Sequence, residues 1–370
     1  MEFPVVVITR MFHKNAALPV GADSCAQADR LSGMAARFLF FRCRAQELAA
    51  KAAPTLSCLA VSRITAWFFC IALAAPAGAD WKASREALDQ RLTAGPFRIH
   101  YTLDADDAFP PDAPPALRKE RADRMLARLA AQLTGADRYY REQLGLTPPL
   151  GGARYRDVRA IDVHIRALEG KTGSTGDAPV VYRYRHFTDA VPALSMSISN
   201  RWVPPNLTPE HEVFHAYQYG YTWFKNAWFL EGMARSMENA FRSRMPRTEP
   251  LPRDAGQMLG VMERSYRADV FWNRLFSLCD PQCGSAAPAR FCGGAMVRAT
   301  LEQYQSLDGE AARARGIDPA DWPEEEQRSE RNNPFLLHGL RRAVEKQCPL
   351  TENRELRDFH GVLRELAVRP

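Results

Sequence analysis

The feature that most constrains the fold is the segment His211-Glu212-Val213-Phe214-His215, which follows the pattern HExxH. Two histidines four residues apart face the same side of an α-helix, so both imidazoles can bind one metal ion. The glutamate beside the first histidine can then act on a metal-bound water. Thr208 is the predicted N-cap of this helix, and Pro209 fits its first position. The segment therefore predicts a zinc site with hydrolytic chemistry.

A catalytic zinc site takes three protein ligands and keeps a fourth position for water. We expect Glu231 to be the third ligand, because it begins a predicted helix over 231–241 that can meet the first helix at an angle. Glu238 and His338 are the alternatives. Glu212 is the expected general base, which takes a proton from water and passes it to the leaving group.

The second ring nitrogen of a zinc-bound histidine usually donates to a carboxylate or a carbonyl. Glu238 follows Glu231 by two helical turns and is the candidate partner. The alternative is that Glu238 is an ordinary glutamate on the protein surface.

Residues 64–77 form an uncharged apolar run, preceded by Arg63 and followed by Ala77-Gly78-Ala79. This arrangement is typical of a secretory signal peptide with cleavage after Ala79, and the run is short for a membrane span. The alternative is a buried core helix. Because about 60 residues precede the run, we expect translation to start later, near Met34 or Val61. The hypothesis is an exported protein whose mature part follows a leader over 1–79.

The leader accounts for much of the formal charge of +6, since it holds twice as many basic as acidic residues. The remainder is close to neutral and has no basic stripe, so nucleic acid is not an expected partner. Four cysteines remain outside the leader, and an even number in an exported chain predicts two disulfides of open connectivity. These residues are Cys279, Cys283, Cys292 and Cys348.

Hydrophobic periodicity predicts an α+β fold with two lobes. Strands are expected at 97–101, 157–168 and 180–185, with a flexible turn over 170–176 and one or two helices within 116–144. Ser195–Ser199 alternates as a half-exposed strand does. The N-terminal lobe, 80–225, holds a mixed sheet and the HExxH helix. The C-terminal lobe, 226–370, is mostly helical with loops near 279–290 and 306–334.

The HExxH segment followed by Glu231-Gly232-Met233-Ala234 resembles the gluzincin zinc metallopeptidases, and is similar to exported bacterial metalloproteases over about residues 195–275. The resemblance implies a zincin-like fold with its cleft between two lobes. It also implies that Ser195–Ser199 is an edge strand that pairs with an extended substrate. Gluzincins commonly stabilise the oxyanion with Tyr or His beyond the third ligand, which points to Tyr266, with His338 as the alternative.

The sequence differs at several positions from the patterns of the zinc peptidase families. The interval from His215 to Glu231 is shorter than in thermolysin-like enzymes. Gln218 and Tyr221 stand where metzincins carry Gly and a third His, which excludes that pattern. The segment 104–112 is rich in proline, so calcium binding is not expected.

The sequence therefore predicts an exported zinc peptidase that acts on peptides or proteins, with no stable membrane span after signal cleavage. Two alternatives stay open. One is a zincin fold without activity that serves binding or assembly in the periplasm. The other is a zinc hydrolase of a non-peptide bond. The sequence does not indicate an oligomeric state.

Overall fold

The computed structural model describes residues 80–280 and 293–367, which belong to one compact unit spanning Ala75–Pro370. The predicted leader and its cleavage site lie outside the described residues, and so do Cys283 and Cys292. The division into lobes at residue 225 stays a prediction. The α+β class with a mixed sheet is confirmed.

The six-stranded sheet has the order β1-β2-β3-β6-β4, and β5 also pairs with β6. Strands β2, β3 and β6 run parallel to their neighbours in the centre, whereas β1, β4 and β5 pair antiparallel. Their bounds are Gln90–Ala94 (β1), Phe97–Tyr101 (β2), Ala160–Arg166 (β3), Gly173–Thr175 (β4), Val180–Val181 (β5) and Pro192–Ser199 (β6).

The prediction that Ser195–Ser199 is a half-exposed edge strand is wrong. These residues belong to β6, which lies inside the sheet between β3 and β4. The polar face of its alternation is covered rather than solvated: the Tyr182 hydroxyl donates to Ser195 Oγ at 2.7 Å, and Arg85 donates to Ser197 Oγ at 3.2 Å. The polar face of β6 is therefore covered by side chains from two other parts of the chain.

The same covered face holds a buried ion pair. Arg98 of β2 donates twice to Asp162 of β3, at 2.6 and 2.9 Å, and the Tyr184 hydroxyl donates to Asp162 at 3.0 Å. His100 is fully buried and stacks on Tyr184 with ring centroids 3.8 Å apart. The charges on this face are thus satisfied inside the protein, while the opposite face supplies apolar side chains to the core.

The predicted flexible turn over 170–176 contains β4, so that prediction is wrong for residues 173–175. Three small residues pair with Met196–Ile198 of β6 and form the edge of the sheet. The predicted strand at 180–185 is shorter than expected, with only Val180–Val181 paired.

Two helices, Pro115–Arg138 and Thr208–Tyr221, pack against the sheet, and helical structure continues to Leu366. Within the predicted helical region, Leu126, Leu129 and Leu133 are buried, whereas Leu117 is 56% exposed. The predicted loop near 306–334 is wrong for residues 306–315, where a long helix continues to Arg315, whereas 316–323 is irregular as expected. The bounds are Asp80–Glu86 (α1), Pro115–Arg138 (α2), Thr208–Tyr221 (α3), Ala227–Met237 (α4), Ala255–Met262 (α5), Asp269–Cys279 (α6), Gly294–Arg315 (α7), Glu324–Gln327 (α8), Asn333–Gln347 (α9) and Arg354–Leu366 (α10).

A disulfide joins Cys279, at the end of α6, to Cys348 after α9. It closes a sequence separation of 69 residues and ties the helical part of the chain together. The second predicted disulfide falls on residues that the structure does not describe. Among the described helices, none has the length and apolar character needed to cross a membrane.

Candidate metal centre

Helix α3 carries the HExxH segment, and its first turn differs from the prediction. Thr208 is the first helical residue rather than the N-cap, and Pro209 is the second. The Asn206 side chain accepts hydrogen bonds from the backbone N–H and the hydroxyl of Thr208, at 2.8 and 2.6 Å. Asn206 thus satisfies an N–H that the helix itself leaves unpaired, which fixes where α3 begins.

The three predicted metal ligands come together between α3 and α4. Oε2 of Glu231 lies 3.3 Å from Nε2 of His211 and 3.4 Å from Nε2 of His215. Zinc–ligand distances near 2.0–2.1 Å in a tetrahedron place neighbouring donors about 3.3 Å apart. All three residues offer donor atoms within 4.8 Å of one another. The spacing and the N,N,O donor set therefore fit a tetrahedral zinc ion with one position left for water, although the same set also accepts other divalent metals.

The far nitrogens of both histidines are held by acceptors. His211 Nδ1 lies 3.1 Å from Glu238 Oε1, so the predicted contact with Glu238 is present. His215 Nδ1 lies 2.9 Å from Gln218 Oε1. The Gln218 amide is itself oriented, because its Nε2 donates to the carbonyl of Leu230 at 3.1 Å. In a neutral imidazole these contacts place the hydrogen on Nδ1 and leave the Nε2 lone pair for a metal ion at the common point.

The position of Glu238 rules it out as the third ligand, because its carboxylate faces the outer nitrogen of His211. It is buried and receives charged hydrogen bonds from Arg235, at 2.6 and 2.9 Å, and from Arg242. Two guanidinium groups on one carboxylate hold it in place. Glu238 therefore orients His211 rather than lying at the protein surface.

Close packing at Gly232 allows Glu231 and Tyr266 to line the same cleft. A Cβ at Gly232 would lie 2.7 Å from Cβ of Ala268, which is closer than real contacts allow. Only glycine lets α4 approach the 3-10 turn Tyr266–Ala268 so closely. The Trp272 indole donates to the carbonyl of Trp228 at 2.8 Å, and the two rings stack with centroids 5.5 Å apart. These contacts fix the helix that presents Glu231.

Glu212 lies between α3 and the edge strand β4. The Thr175 hydroxyl is 2.8 Å from Glu212 Oε2 and 3.0 Å from the carbonyl oxygen of the same residue. A Cβ at Gly173 would lie 2.7 Å from Glu212 Oε1, so glycine leaves the space that the carboxylate fills. Glu212 is thus buried, oriented by β4, and directed into the cleft that contains the two histidines.

The electrostatics of the site favour a cation. Burial opposes the shift, but hydrogen bonds to Glu231 and Glu238 raise the pKa of His211 to about 9. Hydrogen bonds from His211 and His215 outweigh burial and hold the pKa of Glu231 well below its usual range. Burial raises the pKa of Glu212 above its usual value. The carboxylates around His211 therefore stabilise positive charge, which a metal ion would supply.

Tyr266 lies in the cleft, with its ring stacked on that of His211 at a centroid distance of 5.7 Å. Burial, together with the charge of Glu231, raises the pKa of Tyr266, so the phenol stays protonated and can donate a hydrogen bond. His338, the alternative, lies on α9 and does not line the cleft.

The cleft has a volume of about 1050 Å³, and both histidines line it. The sequence did not predict that Thr175 orients Glu212, because Thr175 is a small residue within a predicted turn. It also missed Gln218, which could have been found from its i+3 spacing to His215 on one helix. The cleft has several basic side chains that carried no sequence signal: Lys171, Arg235, Arg242, Arg244 and Arg328.

Comparisons with known proteins give no match to this chain, whether to a family model, a curated protein or a solved structure.

Proposed function

We propose that the protein is a zinc-dependent hydrolase of gluzincin type that cleaves peptide bonds. The observation that supports this most strongly is the convergence of His211, His215 and Glu231, with both imidazoles oriented through their far nitrogens. An ordinary pair of core histidines would not need a third acidic group at the spacing of a tetrahedral site. The proposal includes a zincin-like fold with the cleft as its active site.

A zinc ion in this site would supply Lewis acidity, which polarises a carbonyl group and makes water acidic enough to ionise near neutral pH. The protein supplies the proton transfer. Glu212 takes the proton from the attacking water and delivers it to the leaving amine. The hydrogen bond from Thr175 fixes the carboxylate in position.

The edge strand β4 provides a place for an extended peptide. Thr172 O accepts from Ser199 N at 2.9 Å, and Gly176 N donates to Ser195 O at 2.8 Å, so these groups face β6. In an antiparallel pair the intervening residues Gly173 and Thr175 direct their backbone groups away from β6, toward the open edge. A peptide can add to that edge as a further strand beside Glu212. This role falls to β4 and not to Ser195–Ser199.

Tyr266 is the proposed oxyanion donor. Its protonated hydroxyl lies on the side of the cleft that holds Glu231 and can donate to the oxygen on which negative charge develops. Tyr266 is 54% exposed, so a substrate in the cleft can reach it.

Export remains part of the proposal. The Cys279–Cys348 disulfide supports it, because disulfides persist mainly in oxidising compartments. The substrate is then a peptide or a protein outside the cytoplasm.

The test is mass spectrometry of an unfolded protein incubated with zinc-loaded wild type, with chelator-treated wild type and with Glu212→Gln. We expect cleavage by wild type alone, with rates reduced at least about 100-fold in the other two samples. Hydrolysis of esters or amides other than peptides, without peptide cleavage, would favour the non-peptide hydrolase. Zinc binding without any hydrolysis would favour the inactive fold. Glu212→Gln at the wild-type rate would refute the proposed base.

A further inference from the structure

The charged lining of the cleft is unbalanced. Five Lys or Arg side chains and three Glu side chains line it. All three glutamates have partners within the site: Glu212 accepts from Thr175, Glu231 faces both histidines, and Glu238 holds His211. The acidic groups therefore serve the metal centre, and the basic groups exceed what they can neutralise.

Four of the five basic residues are linked, by contacts or by their position in the chain, to the elements around His211. Lys171 precedes β4, where Gly173 is packed against Thr208 in the first turn of α3. Arg235 and Arg242 both bind Glu238, the partner of His211, and Arg244 follows Arg242 by two residues. This group, which we call the cationic end, comprises Lys171, Arg235, Arg242 and Arg244.

Two members of the cationic end have no carboxylate to neutralise them. In the part of the chain that the structure describes, Lys171 and Arg244 are exposed and form no ion pair. Arg235 and Arg242 share Glu238, and the carboxylate of Asp269 also interacts with both, so the unneutralised charge of the group comes from Lys171 and Arg244. By contrast, Arg328, the fifth basic residue of the lining, is paired with Glu324. The cationic end thus offers free positive charge inside a concave surface.

Positive side chains that line a cleft concentrate anions there, because the protein walls focus the field. Arginine binds a carboxylate through two parallel hydrogen bonds, and lysine adds a point charge. We infer that the cationic end is a subsite for a substrate carboxylate, supplied by an Asp or Glu side chain or by the C-terminus of the peptide. This inference rests on the proposed peptidase function, and it makes acidic peptides the preferred substrates over neutral or basic ones.

The test measures binding apart from turnover, by fluorescence anisotropy with zinc-loaded Glu212→Gln. One set of labelled peptides is blocked at both ends and differs at one central residue: Glu, Gln or Lys. A second pair has a neutral sequence and ends in either a free carboxylate or an amide. We expect the Glu peptide, the free-carboxylate peptide or both to bind about tenfold more tightly than the matched neutral peptide, less so at high salt. The set that shows the preference identifies the source of the carboxylate.

The variants Lys171→Glu and Arg244→Glu, combined in the Glu212→Gln background, are expected to abolish this preference. The matched control is Arg121→Glu, a charge reversal at an exposed position of α2 that does not line the cleft. It should leave the preference unchanged. Equal affinity for charged and neutral peptides, the absence of peptide binding, or a preference that survives the double reversal would overturn the inference.

The two proposals fail in different ways. Wild type that cleaves the Glu and Gln peptides with equal KM, and also the free-carboxylate and amide peptides with equal KM, keeps the peptidase and loses the carboxylate subsite. Glu212→Gln that prefers the Glu peptide, beside a wild type that cleaves none, keeps the subsite and loses the peptidase.

Discussion

Thr175 Oγ1 lies 2.8 Å from Oε2 of Glu212 and 3.0 Å from its carbonyl oxygen, so the edge strand that would receive the substrate also positions the proposed base. A hydroxyl has one hydrogen to donate, and here both acceptors belong to the same residue. Strand β4 therefore positions both the side chain and the backbone of Glu212. Movement of β4 would move the base with it.

Thr175→Val removes this hydroxyl and keeps the shape of the side chain. Because a base displaced by about 1 Å loses much of its effect, we expect kcat to fall roughly 10- to 100-fold with zinc affinity unchanged. Steady-state kinetics and a zinc competition titration measure the two quantities. Thr175→Ser restores the hydroxyl and should recover most of the rate. A valine variant with wild-type kcat would show that Thr175 does not position Glu212.

Gln218→Ala removes the acceptor for His215 Nδ1. The imidazole then loses the hydrogen bond that fixes its tautomer and its direction, so we expect zinc affinity to fall about 10- to 100-fold. Titration against a chromophoric chelator measures this. Gln305→Ala, on the exposed side of α7, is the control and should bind zinc as wild type does. Unchanged affinity in Gln218→Ala would mean that the contact is incidental.

Asp162→Asn tests the buried ion pair on the covered face of the sheet. Arg98 would lose its buried charged partner and keep only the exposed Asp189, 3.4 Å away, so we expect a loss of up to about 3–5 kcal/mol of folding stability. Urea denaturation measures the loss. The exposed pair Lys119–Asp123 provides the matched control, since Asp123→Asn should leave the free energy of unfolding close to that of wild type. Similar effects in both variants would contradict the assigned burial.

The raised pKa of Asp308 predicts that the stability of the folded protein depends on pH. Burial raises its pKa to about 7, although Thr222 donates to it at 2.6 Å. Since the pKa in the folded state exceeds the ordinary value near 3.9, the folded protein binds more protons than the unfolded chain between these values. The stabilising contribution is complete below about pH 4 and is lost as the pH rises through about 7.

Asp308→Asn keeps the shape of the side chain and removes the titration. We expect the free energy of unfolding of wild type, relative to this variant, to fall by a few kcal/mol as the pH rises from about 4 to about 8. Chemical denaturation at several pH values measures the difference. A difference that is constant with pH, or that grows, would contradict the raised pKa.

The spacing of residues along the sequence was enough to predict much of the candidate site. His211 and His215 had to share a helix face, and Glu238 could reach a histidine from two turns beyond Glu231. The position of Glu231 itself depended on how two helices meet. Gly232 settles that angle, but its effect is visible only when Ala268 is known to lie against it.

The sheet was harder to predict, because strand position depends on pairing between distant residues. Ser195 and Ser197 alternate with apolar residues, and such a pattern is typical of a strand with one solvent-exposed face. Here Tyr182 and Arg85 cover that face. The true edge strand, Gly173–Thr175, is short and made of residues typical of turns, so only its register with β6 identifies it.

The central claim is that one zinc ion binds His211 Nε2, His215 Nε2 and Glu231. A crystal structure of the zinc-loaded protein, with anomalous diffraction on both sides of the zinc edge, tests it most directly. We expect one fully occupied zinc peak about 2.0–2.2 Å from each of the three donor atoms, and loss of that peak in Glu231→Ala. Zinc bound by another set of residues, or a Glu231→Ala variant that keeps an unchanged peak, would contradict it.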